Sequence, residues 1–468
     1  MRKTAQPGLG PDRAADRRSL CSLRAAGLEV RRLALEILQR VETTRAFADV
    51  LLGHRIAKLA DTADRRLLTL LVLGTIAWQG RLDYELAQLS SRSLAELDRA
   101  VHLVLRLGLF QLRQLTRIPA HAAVDTAVRL AHESCGAAAG GFVNAILRAA
   151  TRRRARLPRI SREPAFLAVA YSHPRWLVER FVEWFGAADA EAIMAADNQA
   201  APTTIRLNLA RGGADEILAQ LGDEGIAIAG RGLLPETLRL SGGLPLDRAS
   251  YRAGLFAIQA EASQLVAHLL APPPGATVVD CAAAPGGKSG HLAEMVGPGG
   301  RVIALDLNLG GLKQGRLVAA RLRHRQINFV RCDTATALPL RPATFGYVLL
   351  DAPCTGLGTL REHPEIRWRL QLGDFARIAD LQARMLENAA ALLAPDGALV
   401  YSVCSLAPEE GEAVINRFRA RHPQFTVDAE HPRGTALAGL IDADGFMRTR
   451  PDRSPYDGFF AVRLKRHA

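Results

Sequence analysis

The chain has 468 residues, too many for one hydrophobic core, so two to four domains are expected. Lys and Arg number 60 against 47 Asp and Glu, a net charge of +13 that points to a polyanionic partner, nucleic acid ahead of a membrane surface. No apolar run reaches the roughly 18 residues of a membrane span, and the basic N-terminus lacks the apolar core of a secretory signal.

The six cysteines show no paired spacing and no C-x-x-C knuckle. A disulfide framework and a metal are therefore not expected, and a reducing cytoplasm suits the chain. Arginine supplies most of the positive charge, a bias that GC-rich coding explains. Lysine occurs only at Lys3, Lys58, Lys288, Lys313 and Lys465, so Lys288 in a Gly-rich loop stands out.

Residues 1–27 are polar and Arg-rich without apolar periodicity, and are expected to be a disordered basic extension. Residues 28–150 read as all helix. Apolar residues recur at three and four, as in Leu33, Ile37, Leu38 and Val41, or Leu67, Leu70, Leu71 and Ile76. Asp61 or Thr62 is a predicted cap for the helix that begins near Asp64.

An Arg cluster follows in 151–164. It includes Arg152, Arg153, Arg154 and Arg159 and is broken by Pro158 and Pro164. It reads either as a solvated linker or as a phosphate-contacting strap. Residues 165–255 form a small α+β module, with strands predicted at Thr203 to Leu209 and Thr237 to Leu240. Cys21, Cys135 and Cys332 have no motif around them and read as small buried hydrophobes.

From 256 to 468 strands alternate with helices, which predicts a mostly parallel, doubly wound α/β sheet. The first strand of this region runs into Asp280-Cys281-Ala282-Ala283-Ala284-Pro285-Gly286-Gly287-Lys288-Ser289, and a helix follows. Small residues there let a ligand approach the backbone, and a helix N-terminus supplies N–H groups. The loop is neither G-x-G-x-x-G nor G-x-x-x-x-G-K-[ST]. Asp306 ends the second strand and suits ribose hydroxyls, and Asp333 ends the third. An adenosine ligand without a pyrophosphate fits this set, and S-adenosyl-L-methionine is the natural candidate. Two cysteines follow two further predicted strands: Cys354 in Asp351-Ala352-Pro353-Cys354-Thr355-Gly356, and Cys404 in Ser402-Val403-Cys404-Ser405 before Glu409-Glu410. Two thiols at strand ends suggest covalent chemistry on an electrophilic substrate.

These motifs, with Arg361-Glu362-His363-Pro364 and Asp457-Gly458-Phe459-Phe460, resemble the RNA cytosine-5 methyltransferases of the RsmB/Sun type, which modify bacterial 16S ribosomal RNA. The resemblance runs from about residue 28 to the end. The helical region is similar to the NusB-type RNA-binding fold, notably at His121-Ala122-Ala123-Val124 and Gly141-Phe142-Val143-Asn144. It implies three layers of organisation: a NusB-like helical bundle, a small α+β RNA-binding module and a Rossmann-like class I methyltransferase domain. It implies S-adenosyl-L-methionine bound by Ala282, Ala283, Ala284, Pro285, Gly286, Gly287 and Lys288, with Asp306, Asp333 and Asp351.

For the chemistry, the resemblance implies that Cys404 bonds to cytosine C6. Cys354 then assists release, Asp351 hydrogen-bonds the ring near N3, and Lys288 is an electrostatic helper. Arg152, Arg153 and Arg154 would contact the RNA, and the enzyme would act as a monomer. The residues alone leave the two thiols interchangeable, because Pro-Cys is the nucleophile of DNA cytosine-5 methyltransferases; the Ser-Val-Cys-Ser context favours Cys404. A transfer-RNA cytosine-5 methyltransferase and a catalytically impaired ribosome-assembly factor are the alternatives. Three positions depart from the family pattern: Ala282 where cysteine is usual, Val403 where threonine is usual, and Ala260 where aspartate is common.

Overall fold

The computed structural model describes residues 12–59, 61–158 and 162–467. Residues 1–11 of the expected extension and Arg159 of the Arg cluster lie outside the described residues, as does the side chain of Cys21. The chain divides into two compact units, residues 1–175 and 176–468.

Among its described residues unit 1 contains helices and no strand. Its helices are α1 (Asp12–Thr44), α2 (Ala48–Ile56), α3 (Thr62–Ala77), α4 (Gln79–Leu89), α5 (Arg99–Gln114), α6 (Ala120–Cys135), α7 (Ala137–Arg152) and α8 (Pro164–Ala170). One expectation is corrected here: the backbone of residues 12–27 is helical rather than irregular. The segment is rich in Ala, Arg and Leu, which favour helix by propensity even where no apolar stripe marks it. Asp61 caps α3 by accepting the Ala63 N–H at 2.8 Å, as its position predicts.

Helix α5 is buried on most of its circumference, from Val101 to Gln111, so it forms the axis of the bundle. Its buried arginine is neutralised where it sits. Arg106 gives Nε and Nη2 to Asp83 at 2.7 and 2.6 Å and Nη1 to Glu42 at 2.8 Å. Beyond α7 the Arg-rich segment is tied to the bundle. The Arg156 carbonyl accepts from Tyr84 and Gln88, and its N–H donates to Gln88. Cys135 corrects a second expectation: it is exposed, because it ends α6 just before Gly136 breaks the helix.

Unit 2 contains two sheets. The smaller has four antiparallel strands in the order β2-β3-β1-β4: β1 (Thr203–Leu207), β2 (Ile228–Arg231), β3 (Thr237–Leu240) and β4 (Phe256–Ile258). It follows α9 (Arg175–Asp197), which kinks at Gly186, and packs on α10 (Ala214–Asp223) through Ile205, Leu207, Leu238 and Phe256 against Ile217 and Leu221. β4 thus completes the small sheet, although its sequence position abuts the α/β region.

The larger sheet is built from β5 (Thr277–Asp280), β6 (Arg301–Asp306), β7 (Ile327–Arg331), β8 (Phe345–Asp351), β9 (Leu393–Val403), β10 (Phe425–Val427), β11 (Met447–Thr449) and β12 (Phe459–Arg466). The order is β10-β12-β9-β8-β5-β6-β7, with β11 paired to β12. β5 to β9 are mutually parallel, while β12, β10 and β11 pair antiparallel. The chain steps outward from β5 to β7, then returns to the other side of β5 at β8. This reversal opens a crevice at the carboxyl ends of β5 and β8.

The short α11 (Ala249–Arg252) precedes β4, and three helices follow it: α12 (Glu261–Leu270), α13 (Gly287–Val296) and α14 (Leu309–Leu322). On one face Val278, Leu349 and Val400 pack against Leu265 and Leu269 of α12 and Leu292 of α13. On the other, Val279, Leu350 and Tyr401 meet α16 (Gly373–Leu392) and α17 (Glu412–Arg421), beyond the short α15 (Ile366–Arg369). Neighbouring strand residues point to opposite faces, so a sheet buried on both sides reads as continuous apolar runs.

The small sheet is bolted to this layer by buried polar groups. Arg206 of β1, with no exposed side-chain surface, pairs with Glu294 of α13 at 2.8 Å and donates to the Gly287 carbonyl at 3.2 Å. Glu236 Oε1 meets His268 Nε2 of α12 at 2.6 Å and His291 Nε2 of α13 at 3.1 Å.

Candidate active site

Five consecutive parallel strands deliver their carboxyl ends to one edge, and the predicted site residues of unit 2 lie along it. After β5 the chain turns through residues 281–286 into α13. Gly286 has φ +100, and a Cβ there would lie 3.0 Å from the Gly315 Cα of α14, so glycine is required both by conformation and by space. Ala283 donates its N–H to the Leu305 carbonyl at 2.9 Å, and Ala284 donates to Asp306 Oδ2 at 2.8 Å. Asp306 also accepts from the Asn308 N–H at 2.7 Å through Oδ1. Each carboxylate oxygen keeps a further acceptor position. Around Gly287 a Cβ would meet nothing within 4 Å, which leaves open space at the start of α13. A small, strand-end cradle with a carboxylate at its rim therefore exists and fits an adenosine-type ligand.

Asp280, the last residue of β5, is fully buried and accepts from the Ser289 hydroxyl at 2.6 Å. Burial pushes its carboxyl up to about 6. Asp333 lies beyond β7 and caps its own turn by accepting the Ala335 N–H at 2.9 Å. Its neighbour Thr334 gives its hydroxyl to the Cys281 carbonyl at 2.5 Å, which ties this turn to the Gly-rich loop. Cys281 itself is buried, and burial holds its thiol well above the ordinary range.

The chemistry-bearing groups converge at the ends of β8 and β9. Lys288 Nζ contacts Asp351 Oδ2 at 2.7 Å, and the Ser402 hydroxyl donates to Asp351 Oδ1 at 2.7 Å. Burial opposes the Lys288 charge, but Asp351 and Cys404 outweigh it, so the lysine is held protonated more firmly than usual. The ammonium also lies 5.4 Å from the centre of the Phe459 ring.

The two cysteines, fifty residues apart in the chain, bring their sulfur atoms to 3.2 Å. The hydrogen bond to Cys404, followed by burial, pushes the Cys354 thiol well up. Backbone packing holds both loops: Gly358 donates to the Cys404 carbonyl at 3.0 Å and accepts from Gly458 at 2.8 Å. A Cβ on Gly358 would sit 1.8 Å from the Gly458 carbonyl, so the two backbones touch only because neither has a side chain.

The structure thus gathers Lys288, Asp351, Cys354 and Cys404, with residues 282–288 and Asp306 beside them. Arg152, Arg153 and Arg154 belong to unit 1, where all three are exposed. Three contributors were not anticipated: Ser402, Ser289 and Glu410. Ser402 and Glu410 stand inside motifs read for their cysteine, and their roles appear only once β8 and β9 pair. Val403 is buried in the sheet core, which accounts for an apolar residue in place of threonine. Ala260 is the N-cap of α12 and makes no side-chain cap, which identifies what the missing aspartate would do.

Comparison with known proteins agrees over most of the chain. The model of the 16S rRNA methyltransferase RsmB/F matches residues 267–465, that of the NusB family residues 28–152, and that of the RsmF/B-like ferredoxin-like domain residues 173–247. The probable ribosomal RNA small subunit methyltransferase B of Synechocystis sp. is 32% identical over 446 residues, covering 94% of this chain and all of that protein. The ribosomal RNA small subunit methyltransferase B of Pseudomonas putida is 35% identical over 442 residues, covering 91% of this chain and 98% of its own. Among solved structures, that of PH0851 superimposes with a TM-score of 0.81 at 26% identity, covering 94% of this chain and 98% of that one. With the expected helical bundle, small module and Rossmann-like domain in place, this chain belongs to the RsmB/F family of methyltransferases.

Proposed function

We propose that the protein transfers a methyl group from S-adenosyl-L-methionine to C5 of a cytosine in 16S ribosomal RNA, through a covalent bond between Cys404 and C6. The observation that carries this reading is the pair of strand-end thiols 3.2 Å apart beside the Lys288–Asp351 ion pair. Residues 282–288 hold the cofactor, Asp306 takes the ribose hydroxyls, and Asp333 lies toward the adenine. Bound there, S-adenosyl-L-methionine supplies an electrophilic methyl group.

The chain's own residues do the rest. Cytosine C5 is a poor nucleophile. The Cys404 thiolate forms a bond to C6, and the ring electrons move toward C5 and N3. Asp351, oriented by Lys288 and Ser402, carries a proton to the ring at N3, where negative charge develops, and takes it back as the ring is restored. Once C5 carries the methyl group, a water molecule takes the C5 proton, the electron pair returns to the ring, and Cys404 is expelled as thiolate. The Cys354 thiol, kept protonated by its surroundings, donates a hydrogen bond to that departing sulfur. The target base leaves its stack to enter, at a cost of about a few kcal/mol that is smaller in loops. The basic helical unit and Arg152–Arg154 hold the RNA backbone. A ribosomal substrate implies the cytoplasm, and all the groups named come from one chain, so a monomer suffices.

Denaturing electrophoresis of cysteine variants on substrate RNA tests the mechanism. Cys404→Ser should form no covalent adduct and transfer no methyl group. Cys354→Ala should attack through Cys404, release slowly and accumulate a denaturation-resistant complex. An adduct in Cys404→Ser that vanishes in Cys354→Ala would reverse the two roles. Bisulfite sequencing of ribosomal and transfer RNA from cells with and without the protein identifies the substrate. Loss of a mark only in transfer RNA would replace the ribosomal assignment.

A further inference from the structure

One buried carboxylate outside the reacting groups touches both cysteine loops. Glu410 has no exposed surface and lies in the turn between β9 and α17. Its Oε2 accepts the Thr355 N–H at 2.8 Å and Gln382 Nε2 at 3.1 Å. Its Oε1 accepts the Ser405 hydroxyl at 2.7 Å and the Thr355 hydroxyl. Thr355 follows Cys354 directly, and Ser405 follows Cys404 directly. Gln382 of α16 donates also to the Pro353 carbonyl at 2.9 Å, on the other side of Cys354. The Glu410 carbonyl is itself held by the Tyr401 hydroxyl at 2.6 Å, on β9 three residues before Cys404.

Four donors converge on one carboxylate, and each comes from a segment that carries or supports a thiol. A carboxylate has about four acceptor positions, so this one is filled. Burial raises its pKa, and only such a full set of donors compensates a charge held in that place. No acceptor position remains for substrate, so Glu410 acts through other residues rather than on the base.

We infer that Glu410 is a positioning residue for the reaction, a clamp that sets the separation of the Cys354 and Cys404 sulfur atoms. The inference rests on the two-cysteine reading above. It adds that their spacing is maintained by a single side chain at the far end of the Cys404 loop. Holding by hydrogen bonds makes a specific demand on substitutions. In Glu410→Gln the amide oxygen can still accept from the Thr355 N–H and Gln382. Its NH₂ can donate to the Ser405 and Thr355 hydroxyls, which rotate to accept. In Glu410→Ala every tether is lost.

Sulfur separation can be read without RNA or cofactor, by the rate at which phenylarsine oxide captures the full-length enzyme. Arsenic forms a bond to each sulfur, and the two thiol protons leave with the arsenic-bound oxygen as water. Site-resolved mass spectrometry confirms that Cys354 and Cys404 are the captured pair. Glu410→Ala should slow capture about tenfold or more and lower kcat about 100-fold, the scale of an ångström misplacement. KM for RNA and cofactor affinity should stay near wild type. Glu410→Gln should restore both rates to within a few-fold of wild type. Glu412→Gln, on the exposed pair with Arg448, serves as the neighbouring control and should change neither.

Capture by Glu410→Ala at the wild-type rate would overturn the clamp. Equal damage in Glu410→Gln and Glu410→Ala would also overturn it, by assigning the role to charge. Should Glu410→Ala fail to fold, the double variant Thr355→Val with Ser405→Ala removes one tether from each loop and must slow capture if the inference holds. If capture responds as described but no 5-methylcytosine is ever formed, the clamp stands and the reaction assigned to the thiols falls.

Discussion

Buried charge is used differently in the two units. In unit 1 charged side chains cross-link helices and are fully matched by their own neighbours. Arg106 is shared by Asp83 and Glu42, Arg113 reaches Glu85 at 2.8 Å, and Arg31 gives Nε to Gln111 at 2.7 Å. These contacts hold a bundle together and leave the basic surface outside, where Arg152, Arg153 and Arg154 are exposed. Unit 2 has such braces too, as in Arg206 with Glu294, but a second set of buried charges gathers at the carboxyl edge of its parallel sheet: Lys288 with Asp351, Asp280 with Ser289, and Glu410 with its four donors. At that edge the chain accepts desolvated charge beside two thiols. A buried ion pair is weak evidence of function by itself. It becomes informative when its location coincides with the crevice that the strand order creates.

Removing a brace from unit 1 should have the largest effect on stability. Arg106→Met leaves Asp83 and Glu42 without their shared partner, and unfolding should become easier by about 2 kcal/mol in denaturant titration. Its pH dependence carries a sign. Burial raises the Asp83 pKa, but hydrogen bonds from Arg106 and His102 outweigh it and hold the carboxyl below its ordinary range. That contribution is complete above the unfolded value of about 3.9 and is lost as pH falls through the lower folded value. The acid limb of stability should therefore weaken in Arg106→Met, while cofactor affinity in unit 2 is unchanged. A variant that loses cofactor binding instead would erase the contrast between the units.

The exposed arginines of unit 1 should show the opposite behaviour. Replacing Arg152, Arg153 and Arg154 together with alanine should leave stability almost untouched. RNA affinity should fall, and the slope of log affinity against log salt should become shallower by about 2 for single-stranded contacts. An unchanged slope would make the segment a spacer. The smallest effect is a gain. Ala260 sits at the N-cap of α12 with extended backbone, φ −58 and ψ 142, and no side-chain hydrogen bond. Ala260→Asp should raise unfolding free energy by about 1 kcal/mol, read as a higher melting temperature, with catalysis unaltered.

Periodicity and motif spacing alone determined a good deal of this protein. The helical front, the strand–helix alternation after 256, the helix at Leu309–Leu322 and the loop at 282–288 were all legible, because local apolar pattern and turn residues encode local structure. The placing of Asp351, Cys354 and Cys404 was legible too, since each lies at or just beyond the end of an apolar run that reads as a buried strand.

What only the tertiary structure decided depends on pairing across long stretches of chain. The three-residue strands Phe256–Ile258, Phe425–Val427 and Met447–Thr449 are too short to display alternation and exist because a neighbouring strand receives them. Ser402 faces Asp351 because β8 and β9 pair in register at those two residues. Arg206 reads as a strand arginine until β1 carries it to Glu294 and the Gly287 carbonyl. Glu410 reads as one more acid after a cysteine motif until the fold brings four donors around it. Side chains whose role is set by partners fifty or more residues away leave no local signature, because hydrogen bonding and desolvation act through space rather than along the chain.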